Sequence, residues 1–204
     1  MGMQVDPPFG LGQTLGIIGA NDSLVGISGS YGDNWVGAVK EFTDVNPTTG
    51  QVRSNRRKVC IAVRNTSGVA LLPKRVVRLS GTGTGLFGSA DGYASVANEA
   101  LCGVVDEFLP AGGVAANDVF WVTVDGPTEV SVALSGSDVA VRDRLSVITS
   151  AASTSTTAGR VTVSPLSSST AGANDNGIGV IGFAASAGAT TGSAVLALVK
   201  TRAS

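Results

Sequence analysis

Short apolar runs rich in valine, separated by glycine, asparagine and serine, recur along the chain from residue 58 to residue 202. Three of them are strand-like throughout: residues 59–63 (VCIAV), 119–124 (VFWVTV) and 194–199 (AVLALV). Runs of this length, rich in β-branched residues and bounded by turn residues, are typical of β-strands. The pattern therefore predicts an all-β fold.

Further strands are predicted at intervals of about 8–15 residues, with the first of them interrupted near Pro73. They cover residues 69–79, 94–106, 118–124, 128–134, 139–149, 160–164, 178–185 and 194–200. Residues 80–92, 151–158 and 167–177 are predicted loops, because Gly, Ser, Thr and Ala dominate them. The spacing predicts a compact β-barrel or sandwich, β-tulip-like, whose exposed strand edges suit pairing with another subunit.

Two aromatic residues are adjacent in one predicted strand. Phe120 and Trp121 point to opposite faces, because side chains alternate along a strand. If one fills the core, the other is expected to meet a second layer or a neighbouring molecule.

The N-terminal part has a different texture. Glycine recurs through residues 1–57 and spaces out large apolar residues, so the segment is too apolar for a solvated tail and too glycine-rich for a helix. We expect an extended Gly-rich arm over residues 1–57 and a β-rich domain over 58–204; an ordinary first hairpin packed on its own domain is the alternative. The arm residues expected to bind a partner are Phe9, Leu15, Ile17, Ile18 and Trp35.

The chain has few charged residues. Charged residues make up 14% of the 204 residues and the net charge is -1, against about 25% charged in ordinary soluble domains. Such a surface suits coverage by partners, although abundant Ser, Thr and Gly could also keep it soluble. The cluster Arg53, Arg56, Arg57 and Lys58 favours an acidic protein partner, or a plain solvated loop, over nucleic acid, since no aromatic residues interleave it.

The chain has few of the residue types that usually carry catalysis. It has no histidine, which excludes Ser-His-Asp and Cys-His sets, and its two cysteines cannot make an ordinary zinc site without histidine. The acidic residues at 106, 107, 125, 138 and 143 lie near predicted turns, where aspartate caps the backbone. We expect no enzyme, no metal and no cofactor.

Two further sequence features, a GxGxxG match and a pair of cysteines, are interpreted as structural. Residues 83–88 match GxGxxG, but no helix-forming stretch follows, so a flexible loop is expected and not a phosphate site. Cys60 and Cys102 are expected to be buried free thiols, with a disulfide left open.

Targeting signals are not predicted. Asp6, Pro7 and Pro8 interrupt the N-terminus, no basic residue precedes Lys40, and no apolar run reaches membrane-helix length. Synthesis in the cytoplasm without membrane association is expected.

Several segments together carry a resemblance to a known group of proteins. They are 119–124 followed by Gly126, 137–147 (SDVAVRDRLSV), 159–163 (GRVTV), 177–185 (GIGVIGFAA) and 192–199 (GSAVLALV). In these, residues 59–199 resemble small phage capsid decoration (cement) proteins, a β-rich head-protein family, although Arg142 stands where that pattern has glycine.

The resemblance implies a homotrimer on the outer capsid surface, bound to the major capsid protein and clamping the shell against internal DNA pressure. Arg53, Arg56 and Arg57 are then expected to join the arm residues in binding the capsid. A phage tail, fibre or surface glycan-binding adhesin module is the main alternative. A trimeric dUTPase-like enzyme is a third, but the ordered Asp, Ser and Tyr motifs it requires are not found.

Overall fold

All regular secondary structure in the described part of the chain is β-strand, which confirms the all-β prediction. The computed structural model describes residues 36–80, 88–94, 101–133, 138–148, 157–164 and 180–201. Its strands are β1 (Val39–Val45), β2 (Val52–Asn65), β3 (Val76–Ser80), β4 (Ser89–Tyr93), β5 (Cys102–Val105), β6 (Val119–Ser131), β7 (Arg144–Val147), β8 (Val161–Val163), β9 (Val180–Ala184) and β10 (Ala194–Lys200).

Five of these strands close into a ring. The order β2–β4–β3–β5–β6 returns to its start because β6 also pairs with β2, with Val63 opposite Phe120. The pairing of β2 with β4 is parallel, and the other pairings in this ring are antiparallel. The interior is filled by buried apolar side chains that include Phe120, Leu71 and Leu79.

A second, less regular ring uses the other half of β6. The strands follow the order β6–β10–β9–β7–β8, and a parallel bridge from Val132 to Val161 leads back to the end of β6. Its core contains Leu145, Ile181 and Val195, which are at most 1% exposed. The fold is thus one ten-stranded sheet with a partly ring-like arrangement, not a clean barrel.

The two cores lie on opposite faces of the same strands. On β3, Val77 belongs to the first core and Val76 to the second, while on β5 the corresponding pair is Val105 and Val104. All four valines are fully buried. Strands buried on both faces read as continuous apolar runs, so alternation is lost at the centre of the molecule.

Strand β6 serves both rings through a bulge at Val124, where its pairing with β2 skips one residue, and a close backbone approach at Gly126. Residues 119–125 pair with β2, residues 125–131 pair with β10, and the register against β2 shifts between Val59 and Cys60. Gly126 has a φ of +103°, and a Cβ there would lie 2.2 Å from the carbonyl oxygen of Arg57. Glycine is required on both counts. The turn signal at Gly126 and Pro127 therefore bends one strand, where two separate strands over 118–124 and 128–134 were predicted.

The described residues change two other expectations. Strand β2 crosses the predicted domain boundary between residues 57 and 58, and β1 pairs with it, so residues 36–57 belong to the sheet. Residues 1–35, the rest of the predicted arm, lie outside the described residues. Part of the predicted loop 80–92 is strand β4, while residues 81–87, which hold most of the GxGxxG match, also lie outside.

Replacing Gly126 by alanine is expected to lower the free energy of unfolding by about 2–4 kcal/mol, because the new Cβ meets backbone atoms and the φ is unfavourable. Urea denaturation measures this. Gly112→Ala is the matched control, since a Cβ there meets nothing within 4 Å. Equal stabilities of the two variants would show that the close approach at Gly126 does not constrain β6.

Candidate functional site: a clamped hairpin and two exposed surfaces

Strands β1 and β2 form a hairpin. β2 belongs to the first ring, and β1 is the additional strand paired to it. The backbone N–H of Ala62 donates to the carbonyl of Ala38 at 2.9 Å, and the register continues through Phe42 opposite Lys58. β1 comes first in the strand order, at one end of the sheet. The turn at its tip is held by Asn46, whose side-chain oxygen accepts from the N–H groups of Thr48 and Thr49.

The second layer expected for one of the two adjacent aromatics is this hairpin. Phe120 points into the first ring, while Trp121 points outward and is 1% exposed. Phe42 of β1 meets the Trp121 ring edge-to-face, with 5.4 Å between centroids and 77° between planes. Such aromatic pairs add about 0.5–1.5 kcal/mol to the area they bury.

A buried ion cluster ties the far end of the hairpin to the body of the domain. The Arg53 guanidinium donates from Nη2 to Asp44 Oδ1 at 2.7 Å and to Glu107 Oε1 at 2.9 Å, and from Nη1 to Glu107 Oε2 at 3.2 Å. The side chains of Asp44 and Glu107 are fully buried, and that of Arg53 is 12% exposed. Burial alone would lower the pKa of Arg53, but its hydrogen bonds to the two carboxylates raise it.

Lys58 supplies the second cation of this cluster. Its Nζ contacts Glu107 Oε1 and lies 5.5 Å from the centroid of the Phe108 ring. At the rim, Glu129 accepts from Arg53 Nη1 at 3.4 Å and pairs with Lys74 at 2.6 Å. The cations Arg53 and Lys58 of β2 therefore lie between the carboxylates of β1, of the segment after β5 and of β6, and this pairing offsets the cost of burying the charges.

Asp106 is the odd member of this neighbourhood. Burial raises its pKa to about 7, against the opposing effects of the Lys58 charge and the Phe108 backbone N–H, while the Glu107 charge adds to the rise. Its Oδ1 accepts from the Phe108 N–H at 3.3 Å, and its Oδ2 has no hydrogen-bond partner among the described residues. This carboxyl is therefore buried beside the ion cluster, and its pKa lies near neutral pH.

Next to the cluster, the hairpin exposes a mixed apolar and basic surface. Val39 is 61% exposed and Val52 is 67% exposed. Arg56 and Arg57 of the same hairpin are also exposed, and Arg57 pairs at 2.6 Å with Glu41. We refer to Val39, Val52, Arg56 and Arg57 as the hairpin surface.

A second apolar surface lies on the outside of the other ring. Phe183 of β9 is 50% exposed and stands directly opposite Leu198 of β10 on one side and Arg144 of β7 on the other. Residues directly opposite in a sheet project to the same face. We refer to Phe183, Leu198 and Arg144 as the outer row.

The structure thus separates the residues expected to bind a partner. Arg56 and Arg57 are exposed, whereas Arg53 is held in the buried cluster with its hydrogen bonds directed to carboxylates of the same chain. Phe9, Leu15, Ile17, Ile18 and Trp35 lie outside the described residues. The sequence marks Phe183 as a large aromatic anchor of the core or of an interface, but it does not single out the exposed valines, because the exposure of a strand residue depends on which neighbours cover its face.

The two cysteines are free and buried, as the default interpretation of the sequence has it. Burial raises the pKa of the Cys60 thiol to about 12, and its sulfur lies 3.6 Å from Thr123 Oγ1. Within the described ranges no cluster of three or more His, Cys, Asp or Glu is arranged to hold a metal ion. The same residues contain no helix long and apolar enough to cross a membrane.

Comparison with known proteins finds a likeness among solved structures alone. No family model matches the chain, and no curated protein matches it. Among solved structures, the chain is similar to the N base of head fibre protein gp8.5 of bacteriophage phi29, with 16% identity and a TM-score of 0.41 over 70% of this chain and 94% of that one. At that identity and TM-score, the likeness does not establish what this chain binds.

Removing the central cation tests the buried cluster. Arg53→Met is expected to lower the free energy of unfolding by about 3 kcal/mol, because the buried Asp44 and Glu107 lose a shared partner. Arg57→Met is the control: its pair with Glu41 is exposed, and its loss is expected to cost less than about 1 kcal/mol. Guanidinium denaturation compares the two, and equal effects would mean that the cluster does not hold the hairpin.

The raised pKa of Asp106 predicts a pH dependence of stability. The folded state holds the proton more tightly than the unfolded state, so this group's stabilising contribution is complete below the unfolded pKa near 4 and falls as the pH rises through 7. Between pH 5 and pH 8 the loss is on the order of 2 kcal/mol.

Asp106→Asn, which cannot ionise, is expected to flatten that pH slope in thermal or urea denaturation. Asp143→Asn is a control, since its carboxylate is partly exposed and accepts from the Ala140 N–H at 2.7 Å. A slope that Asp106→Asn leaves unchanged would contradict the assignment.

Proposed function

We propose that this chain is a phage structural protein that decorates the outside of the capsid, binds the major capsid protein and stabilises the shell against the pressure of its DNA. The proposal includes self-association as a homotrimer and a place in the virion after synthesis in the host cytoplasm. It starts from the resemblance of residues 59–199 to capsid decoration proteins. The fold adds surfaces through which such a protein could act.

The hairpin surface is the observation that carries the proposal. Two exposed valines and two exposed arginines belong to one hairpin, and the buried ion cluster fixes its strands. Apolar contact supplies affinity, whereas positive charge favours an acidic protein surface over a basic one. Because the strands are held in advance, little conformational entropy is lost on binding.

The outer row gives the same body a second contact. Phe183 is a large aromatic side chain, half exposed, with Leu198 and Arg144 on either side, and aromatic and arginine residues are enriched in interface hot spots. The two named surfaces lie on different rings of the fold. A protein that joins its own copies through one surface and the shell through the other can bind a symmetric lattice at many points.

Stabilisation of the shell then follows from mass action. A protein that binds the intact shell and not the opened one shifts the opening equilibrium by RT ln(1 + [L]/Kd), which is on the order of 1 kcal/mol or more per copy near saturation. Repetition over the lattice adds these terms. The proposed role needs no chemical step.

The direct prediction is that heads carrying the protein release DNA at a higher temperature than heads without it, as followed by dye fluorescence with occupancy measured on the same particles. Arg56→Glu is expected to reduce occupancy and the temperature difference, because it reverses a charge on the hairpin surface. Arg142→Glu, an exposed charge on the other ring, is the control. Equal release temperatures at confirmed full occupancy would remove the decoration function and favour a fibre or glycan-binding adhesin.

Self-association is tested separately by light scattering. The purified protein is expected to have about three times the 20.3 kDa of one chain. Phe183→Ser should shift the population towards monomer, whereas Val141→Ser, which changes an exposed valine outside the outer row, should not. A wild-type monomer at high concentration would contradict the trimer.

A further inference from the structure

A lysine and a glutamate meet in a site from which water is excluded. The Lys58 side chain is 2% exposed and that of Glu107 is fully buried, with Lys58 Nζ against Glu107 Oε1 and the Phe108 ring beside the ammonium. The two residues lie 49 positions apart in sequence, on β2 and just after β5. Fully buried lysines are rare, and the amine of this one is in contact with an oxygen of a buried carboxylate.

We propose that Lys58 and Glu107 condense to an amide, so that an intramolecular isopeptide bond joins β2 to the segment after β5. The bond forms between Lys58 Nζ and Glu107 Cδ, and the bond that breaks is Cδ–Oε1. No oxidant or second substrate is needed, because an ammonium and a carboxylate give an amide and one water. This inference does not depend on the proposed function.

The second oxygen of Glu107 is held as an amide-forming reaction requires. Its Oε2 accepts from Arg53 Nη1 at 3.2 Å and from the backbone N–H of Glu129 at 3.2 Å. Attack on Cδ places negative charge on this oxygen, and fixed donors in a dry site stabilise such charge strongly. The donors are present before reaction because Arg53 is held by Asp44 as well.

The protons have a defined route. Lys58 gives its first proton to Glu107 Oε1 across their contact, which leaves a neutral amine beside a neutral acid. After the attack, the nitrogen of the adduct passes its second proton to Oε1, the oxygen with which it is already in contact. Oε1 leaves as water with both protons, and the nitrogen keeps the one proton of the amide.

Burial favours the product. The reaction replaces two buried charges with a neutral amide, and so removes much of the desolvation cost of the pair. It also cross-links the chain across the interval between Lys58 and Glu107, which restricts the unfolded state. The Lys74–Glu129 pair provides the internal comparison: its side chains are 29% and 22% exposed, so water continues to solvate its charges.

Mass spectrometry of the intact, denatured protein tests the proposal. The wild type is expected to be lighter than its sequence by one water molecule, and a tryptic digest should contain residues 58–64 joined to the peptide that holds Glu107. Lys58→Arg should show its full sequence mass, while Lys74→Arg should keep the loss.

A wild-type protein at full sequence mass, with residues 59–64 released as a free peptide by cleavage after Lys58, would overturn the proposal and leave an ordinary buried ion pair. A lost water located at Lys74 would overturn it as well. The test does not depend on the folding of Lys58→Arg, because the digests of the wild type and of Lys74→Arg show on their own whether the cross-link is present.

Discussion

The position of Arg53 between two buried carboxylates determines how the outer part of this molecule is built. Asp44 and Glu107 come from β1 and from the segment after β5, and neither side chain reaches solvent. Without a cation between them, their burial would cost far more than the packing of the hairpin returns. The guanidinium therefore fixes β1 and β2 against the body, and this in turn places Val39, Val52, Arg56 and Arg57 on a fixed surface.

The other constraint is that one strand belongs to two rings. β6 must bend without ending, and Gly126 permits this because its backbone passes within contact distance of Arg57, where a side chain would not fit. Arg57 directly precedes Lys58, so this close approach also sets where the buried lysine meets Glu107. The core architecture and the ion cluster thus share one stretch of β2.

The sequence predicted the fold class because its strands are continuous valine-rich runs, and β10 and the middle of β2 lie where those runs are. It missed β4, since residues 89–93 have the composition of a loop and are strand only through pairing with β3 and β2, helped by the 2.7 Å bond from Arg78 to Asp91. It also treated Arg53, Arg56 and Arg57 alike. Which of the three is buried depends on the register of β1 and β2, which composition does not encode.

The cluster had one signal in the sequence, namely the acidic pair at 106–107 within the apolar stretch VVDEFL. Charges in such a stretch indicate burial and hence a partner cation, but β2 offered five candidates. Hydrogen exchange of the protein alone and on purified heads tests the proposed contact between the clamped hairpin and a capsid. Slower exchange over residues 39–57 is predicted on the heads, and unchanged exchange there at full occupancy would contradict the proposal.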